Sequence, residues 1–216
     1  MLVRSRMTPN PITVSKKTTI AEALELIKDN KIRRLPVVDR GKLIGIVTDR
    51  DLSQVSPSPA TTLSIFELNY LLAKTKIGDI LPRNQKVVTV SPDDYLEQAA
   101  LLMRENAVGG IPVIEQGQLV GIITESDIFD AFIEIMGVRQ SGLRIHLEVE
   151  NRVGVLAEIS QLMKDLGVNI THTVYSPGGD KGNLLLKLDT FEEEVVLKVL
   201  KEAGFEAATA NSEVIY

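Results

Sequence analysis

The residues best able to do chemistry occur in two matched sets. Thr48-x-x-Asp51 and Thr124-x-x-Asp127 each close an apolar run and open a helical one. A threonine three residues before an acid has the spacing of a capping box, which closes a helix start on itself. The same geometry can serve a ligand. A helix N-terminus offers unpaired N–H groups to a phosphate, and a carboxylate accepts hydrogen bonds from two ribose hydroxyls. The cations are one-sided. Lys31, Arg33, Arg34, Arg40, Lys42 and Arg50 accompany the first set, and the residues 76 positions later are Ala107, Gly109, Gly110, Gln116, Gln118 and Ser126. Arginine suits phosphate because its planar fork donates two parallel hydrogen bonds.

Other chemistries lack their residues. The chain has no cysteine, so disulfides, thiol nucleophiles and cysteinyl metal sites are excluded. Only His146 and His172 could serve a histidine-based metal site, and they fall on separate strands. Ser176-Pro177-Gly178-Gly179-Asp180-Lys181-Gly182 is glycine-rich but lacks the phosphate-loop spacing, and reads as a hairpin turn. The net charge of −5 argues against general nucleic-acid binding. No apolar run nears the roughly 18 residues of a membrane span, and no signal peptide is visible, so a soluble cytoplasmic protein is expected. The charge is uneven: residues 1–140 carry 17 basic and 17 acidic groups, and residues 141–216 carry 7 and 12. That change suggests a domain boundary near 140.

An internal repeat must position the matched sets. Thr13–Leu52 aligns without a gap on Thr89–Ile128, with 14 of 40 pairs identical. Each copy reads as an extended segment (Ile12–Val14, Val88–Val90), a helix, two β runs joined by a turn, and a closing helix. The first helices show i, i+3, i+4, i+7 spacing at Ile20, Ala23, Leu24, Ile27 and at Leu96, Ala99, Ala100, Met103. Gly41 and Gly117 fall in the turns. One unit of this size leaves an apolar face open, and two can pack about a pseudo-twofold axis. Between them, Ser56–Pro59 reads as loop. Thr62–Ala73 reads as a helix with Leu63, Phe66, Tyr70 and Ala73 on one side, packed on its own module or on a second copy.

The repeated residues Arg34–Asp39 and Leu43–Asp51, with their counterparts through Asp127, resemble the CBS domain, and the tandem resembles a CBS pair, or Bateman module. That resemblance implies an adenosyl ligand (AMP, ADP, ATP or another) in clefts between the repeats. It implies that Thr124 and Asp127 share a cleft with Arg33, Arg34, Thr13 and Pro36. Thr48 and Asp51 would face Thr89, Gly109, Gly110 and Pro112 in the other. The arginine-bearing cleft is expected to prefer phosphorylated ligand.

Residues 143–216 read as βαββαβ, a ferredoxin-like sandwich. The first strand alternates Leu143, Ile145, Leu147, Val149 with Arg144, His146, Glu148. A helix carries Val155, Ile159, Leu162 and Leu166, a second covers Phe191–Ala203, and a last strand covers Phe205–Val214. Asn151–Ile159 and Leu166–Ile170 resemble an ACT domain, with Val153 where the family usually has proline. The resemblance implies amino-acid binding between dimer-related copies at Asn151, Gly154, Val155, Leu156, Asn169 and Ile170. Taken without it, Asn151 reads as a helix N-cap and Asn169 as a turn residue.

The expected fold is therefore α/β (α+β): tandem CBS repeats at 1–76 and 77–136, a linker at 137–142, and a ferredoxin-like ACT domain at 143–216. The order is similar to that of AcuB-like acetoin-utilisation regulators. The expected function is non-catalytic: a homodimeric cytoplasmic regulator of a target protein, sensing an adenine nucleotide and, as the ACT resemblance implies, an amino acid, with no required cofactor. The alternative is a structural dimerisation module without a ligand.

Overall fold

The computed structural model describes residues 1–55, 64–83 and 85–209. The chain forms two compact units, Met1–Ile128 and Phe129–Tyr216. The division falls within a helix, ahead of the expected linker.

In the first unit, a 3-10 turn Val3–Ser5 leads to β1 (Thr8–Pro9), α1 (Ile20–Asp29), β2 (Arg34–Asp39), β3 (Lys42–Thr48), α2 (Asp49–Val55), α3 (Ile65–Lys74) and α4 (Ile77–Ile80). The second copy supplies α5 (Leu96–Glu105), β4 (Gly110–Glu115), β5 (Gln118–Thr124) and α6 (Glu125–Ile135), which runs into the second unit. The repeat extends to the backbone. β2–β3 and β4–β5 are antiparallel hairpins whose bulges fall at Val37/Val38 and Val113/Ile114. Arg40-Gly41 and Gln116-Gly117 share φ values of 50° and 79°. Two successive positive values are what a tight type I′ hairpin turn demands. Val14 bridges Val37 as Val90 bridges Val113.

The sheets close by exchange, which sequence patterning did not reveal. β1, ahead of the first repeat, pairs with β5 of the second at Thr8↔Ile122 and Pro9↔Gly121. The position 76 after Pro9 is Gln85, and its side chain does the matching work on β3. Its Oε1 accepts from Ile46 N at 3.0 Å, and its Nε2 donates to Ile46 O at 3.3 Å. Each hairpin is thus completed by chain that precedes the other repeat.

The first core packs Ile20, Ala23 and Ile27 of α1 against Leu35, Val37, Val47, Leu52 and Ile77. α1 starts on a capping box between Thr19 and Glu22. α3 starts on a second box, Ser64 with Glu67, so it begins three residues later than expected. Of the two expectations for this helix, packing of Phe66 and Tyr70 on their own module does not hold: Phe66 is 82% exposed and Tyr70 57%. Among the described side chains of α3, Leu72 meets the core. Thr62, Leu63 and the Ser56–Pro59 loop lie outside the described residues.

The second unit continues with β6 (Leu143–Glu150), α7 (Val155–Asp165), β7 (Ile170–Gly178), β8 (Lys181–Leu188), α8 (Glu193–Glu202) and β9 (Glu206–Thr209). Its sheet order is β7-β8-β6-β9, all antiparallel. Inward Ile145, Leu147, Val149, Leu184, Leu186 and Leu188 pack on Val155, Ile159 and Met163 of α7 and Val196 and Leu200 of α8. This is the expected βαββαβ order. The last strand is described to Thr209, and its expected continuation to Val214 lies outside the described residues.

Candidate functional site

A cleft of about 530 Å³ lies in the first unit, lined by Arg33, Arg34 and Pro36 from one repeat and by Gly109, Ile122 and Thr124–Asp127 from the other. Hairpin and helix order position these groups. Thr124 ends β5 and Asp127 stands in the first turn of α6, so the carboxylate returns to the strand end. Thr124 N and Oγ1 both donate to Asp127 Oδ2, at 2.7 and 2.6 Å. Thr48 and Asp51 repeat this at 2.9 and 2.7 Å. The carboxylate therefore closes on the strand end in both copies, and among the described residues Thr48 Oγ1 alone also accepts the backbone N–H of its partner, Asp51, at 3.2 Å. The closure uses one carboxylate oxygen, and no hydrogen bond to Oδ1 of Asp127 is found among the described residues. Capping and ligand binding are thus compatible at this carboxylate.

Arg34 is the electrostatic centre of the cleft. Burial, its largest influence, pushes the guanidinium below its usual value, as does Arg33. Glu125, Asp49 and Asp127 oppose that shift. Its Nη1 is buried without a hydrogen-bond partner. The reason it fits is glycine. A Cβ on Gly110 would overlap Arg34 Nη1 and lie 2.8 Å from Cζ. A Cβ on Gly109 would lie 2.9 Å from Arg34 Nη2 and 2.8 Å from Glu125 Oε2.

One expectation is corrected here: Gly109 lines the arginine-bearing cleft and not its counterpart. Positions 34 and 110 are equivalents in the repeat, and two equivalents can touch only at the axis relating them. Gly109 and Gly110 therefore accommodate Arg34 at that axis. Thr13 is a second correction. It is exposed and does not line the cleft, whereas its neighbour Ile12 does. Extended chain alternates sides, so only one of two neighbours faces a given surface. Thr89 lines a different depression of about 300 Å³, with Lys42, Gln85 and Gly117. Thr48, Asp51, Gly110 and Pro112 are not among the lining residues of the larger cleft. Sequence reasoning missed Thr8, Asn10, Pro11 and Glu125 there. Asn10, at φ 48°, bends the chain between β1 and the extended segment, and Asn-Pro is itself a turn signal.

In the second unit the expected residues do not converge. Asn151 Nδ2 donates to Gly179 O at 3.0 Å, and Tyr175 Oη donates to Asn151 Oδ1 at 2.9 Å. The side chain thereby ties the turn before α7 to the β7–β8 turn. The N-cap is Gly154, at φ 92°, not Asn151. Asn169 precedes β7, while Gly179 follows it. A nine-residue strand at ~3.3 Å per residue holds those ends roughly 30 Å apart. Val155 is core, Ile170 is half-buried against it, and Leu156 is 42% exposed. A cavity of about 360 Å³ beside the turn is lined by Val155 with Glu148, Glu150, Arg152, Lys181 and Phe205. Arg152 donates bidentately to Glu158 at 2.6 Å and reaches Glu150 at 3.2 Å. β8 stands between the strands carrying His146 and His172. No helix among the described residues is long and apolar enough to cross a membrane.

Comparison with known proteins agrees with the repeat geometry. The CBS domain family matches residues 3–58 and 77–134, more than half of the chain. A CBS domain-containing protein of Dictyostelium discoideum is 37% identical over 138 residues, 63% of this chain and 94% of that one. A Vibrio cholerae structure named for acetoin utilization (AcuB) superposes with a TM-score of 0.52 at 30% identity, over 65% of this chain and 96% of that one. CBSX2 in complex with AMP gives 0.50 at 31% identity, over 62% and 97%. Both the family match and the paired hairpins place this chain in the CBS domain family, as a tandem CBS pair with a C-terminal βαββαβ unit.

Proposed function

We propose that the chain is a non-catalytic regulatory protein that senses an adenine nucleotide in the cleft lined by Arg33, Arg34, Thr124 and Asp127. The carrying observation is Arg34 itself. It is a half-buried guanidinium with an unpartnered Nη1, aimed across the repeat axis beside a carboxylate with an oxygen to spare. The phosphate takes Arg33 and Arg34, and the ribose hydroxyls take Asp127 and Thr124. The AMP held by CBSX2, and the 5′-methylthioadenosine and S-adenosylmethionine held by the MJ0100 CBS pair, support an adenosyl ligand. The arginines favour a phosphorylated one. Thr48, Asp51, Thr89, Gly110 and Pro112 form the weaker counterpart. The protein acts as a cytoplasmic homodimer, related in role to the AcuB-like carbon-metabolism regulators, with no required cofactor.

The C-terminal unit is read as an ACT domain. Its βαββαβ order and the positive-φ Gly154 support that reading. An amino acid would bind between copies, with Asn169 of one copy meeting the Asn151–Leu156 turn of the other, since a single chain holds these apart.

Titration calorimetry with AMP tests the nucleotide reading. Asp127→Ala is expected to weaken binding about tenfold to a hundredfold, the worth of a hydrogen bond to a charged group. Asp51→Ala should change it little. Equal losses in the two variants would sink the asymmetry. A flat thermal-shift panel of adenine nucleotides and amino acids, with no small molecule released on denaturation, would favour the second reading, a dimerisation module without a ligand. The exposed Phe129, Phe132 and Ile135 on α6 speak for dimerisation under either reading.

A further inference from the structure

The four-stranded sheet carries a second group of cations, far in sequence from the first. Along β6 and β8 the residues Ile145, Leu147, Val149, Leu184, Leu186 and Leu188 face the core. Side chains alternate along a strand, so Arg144 and Lys187 project from the opposite face. The register sets Arg144 directly across from Lys187. It sets Lys187 directly across from His172 on β7. Opposed pairs have Cβ atoms ~4.5–5.5 Å apart. Three nitrogen-bearing side chains thus stand side by side across three strands, with no acid in the row.

Lys187, in the middle, is 4% exposed. Its ammonium has no hydrogen bond or ion pair among the described residues. Arg144 Nε is also buried without a partner. The chain after α6 passes over the row, since a Cβ on Gly137 would lie 2.7 Å from His172 Nδ1. That nitrogen is 3.2 Å from Thr171 Oγ1, which leaves Nε2 for another partner. Burial, and then the neighbouring Arg144 charge, push the Lys187 ammonium below its usual range, and no carboxylate enters that balance. Like charges set directly opposite destabilise a sheet, and an unpaired buried cation is costly. Lysine normally escapes by extending its head into water. Here the residue as a whole is covered, while Arg144 and His172, both half-buried, leave the row reachable from its two ends.

We propose that Arg144, Lys187 and His172 form a binding site for a small tetrahedral oxyanion, either inorganic phosphate or the phosphoryl group of a small phosphate monoester. The anion lies along the row, takes paired hydrogen bonds from the guanidinium, neutralises Lys187 and accepts from His172 Nε2. The site lies in the C-terminal unit and is independent of the nucleotide reading, so either can fail alone.

The experiment uses the full chain carrying Arg33→Ala and Arg34→Ala, which removes the other cationic cluster. With only two histidines, the imidazole resonances are readily assigned by NMR. Inorganic phosphate at constant pH and ionic strength is expected to move the His172 resonance saturably and to raise the melting temperature. Lys187→Met should weaken the apparent phosphate affinity about tenfold or more, and raise stability in phosphate-free buffer. Arg144→Gln is the second variant should Lys187→Met fail to fold, with the same expected loss of affinity. Glycerol phosphate, run in parallel, separates the sources: tighter binding assigns the site to phosphoryl groups, weaker binding to free phosphate. A His172 resonance that ignores phosphate, that responds equally in the variants, or that follows acetate as far as phosphate overturns the proposal.

Discussion

Gly110→Ala offers the sharpest test of how the nucleotide cleft is built. Gly110 has no positive φ, so alanine strains nothing in its own backbone. The trouble is Arg34, whose Nη1 occupies the place of the new methyl and whose Cζ and Cδ lie 2.8 and 3.1 Å from it. Overpacking of this kind costs about 1–3 kcal/mol when the neighbour cannot move. Arg34 can move, because the overlap is at the end of a flexible side chain. Its Nη1 also has no hydrogen bond to forfeit. The expected stability loss is therefore at the low end, about 1 kcal/mol. Ligand binding should suffer more. An arginine displaced from the cleft loses a charge-assisted contact worth about 1.5–3 kcal/mol, or about tenfold to a hundredfold in AMP affinity. Calorimetry on Gly110→Ala, Arg34→Ala and the double variant closes a thermodynamic cycle. Each single change should weaken AMP comparably, and the double should be no weaker than Arg34→Ala alone. If Gly110→Ala costs its full factor again when Arg34 is already gone, the glycine does not act through the arginine and the reasoning fails.

Further outcomes follow from the same geometry. Gln85→Leu should destabilise the first unit by about 1–3 kcal/mol in urea denaturation, because Ile46 N loses its acceptor in a half-buried place; an unchanged midpoint would mean that water replaces the side chain. Gly154→Ala should cost about 1 kcal/mol or more, since φ 92° is hostile to any Cβ, and a melting temperature equal to wild type would refute that. Glu158 is held below the usual carboxylate value, first by its hydrogen bonds from Arg152. Its contribution is complete above the unfolded value near ~4.3 and fades as pH falls through the lowered native value. Glu158→Gln should flatten the loss of stability in that acid window, modestly and less at high salt because both side chains are about half exposed. An unaltered pH slope at low salt would show the pair to be inert.

Much of the fold was legible because it is written twice. The offset of 76 placed both hairpins, both turns and both Thr–Asp boxes, since local chemistry fixes each of them. Apolar alternation likewise revealed β6, and glycine and helical spacing revealed α7. What periodicity could not show is how segments distant in sequence meet. β1 is two residues long and carries no alternation, so its pairing with β5 was invisible. Gln85 looks like any polar linker residue until its amide is seen on Ile46. Phe66 and Tyr70 have the spacing of a buried face, yet only packing decides which face of a short helix is covered.

The sequence alone determined that the chain contains a duplicated β/α unit, that cations crowd one copy, and that no thiol chemistry is available. Tertiary structure decided where those cations go. Arg34 crosses the repeat axis and fills the space its glycine twin vacates, so the pair is asymmetric at its centre. It also placed Arg144, Lys187 and His172, residues from three separated stretches, in one row. The physical reason is the same in both cases. Side-chain type and helix or strand period are local properties, whereas charge proximity and burial depend on which strands pair, and pairing is settled only when the whole core closes.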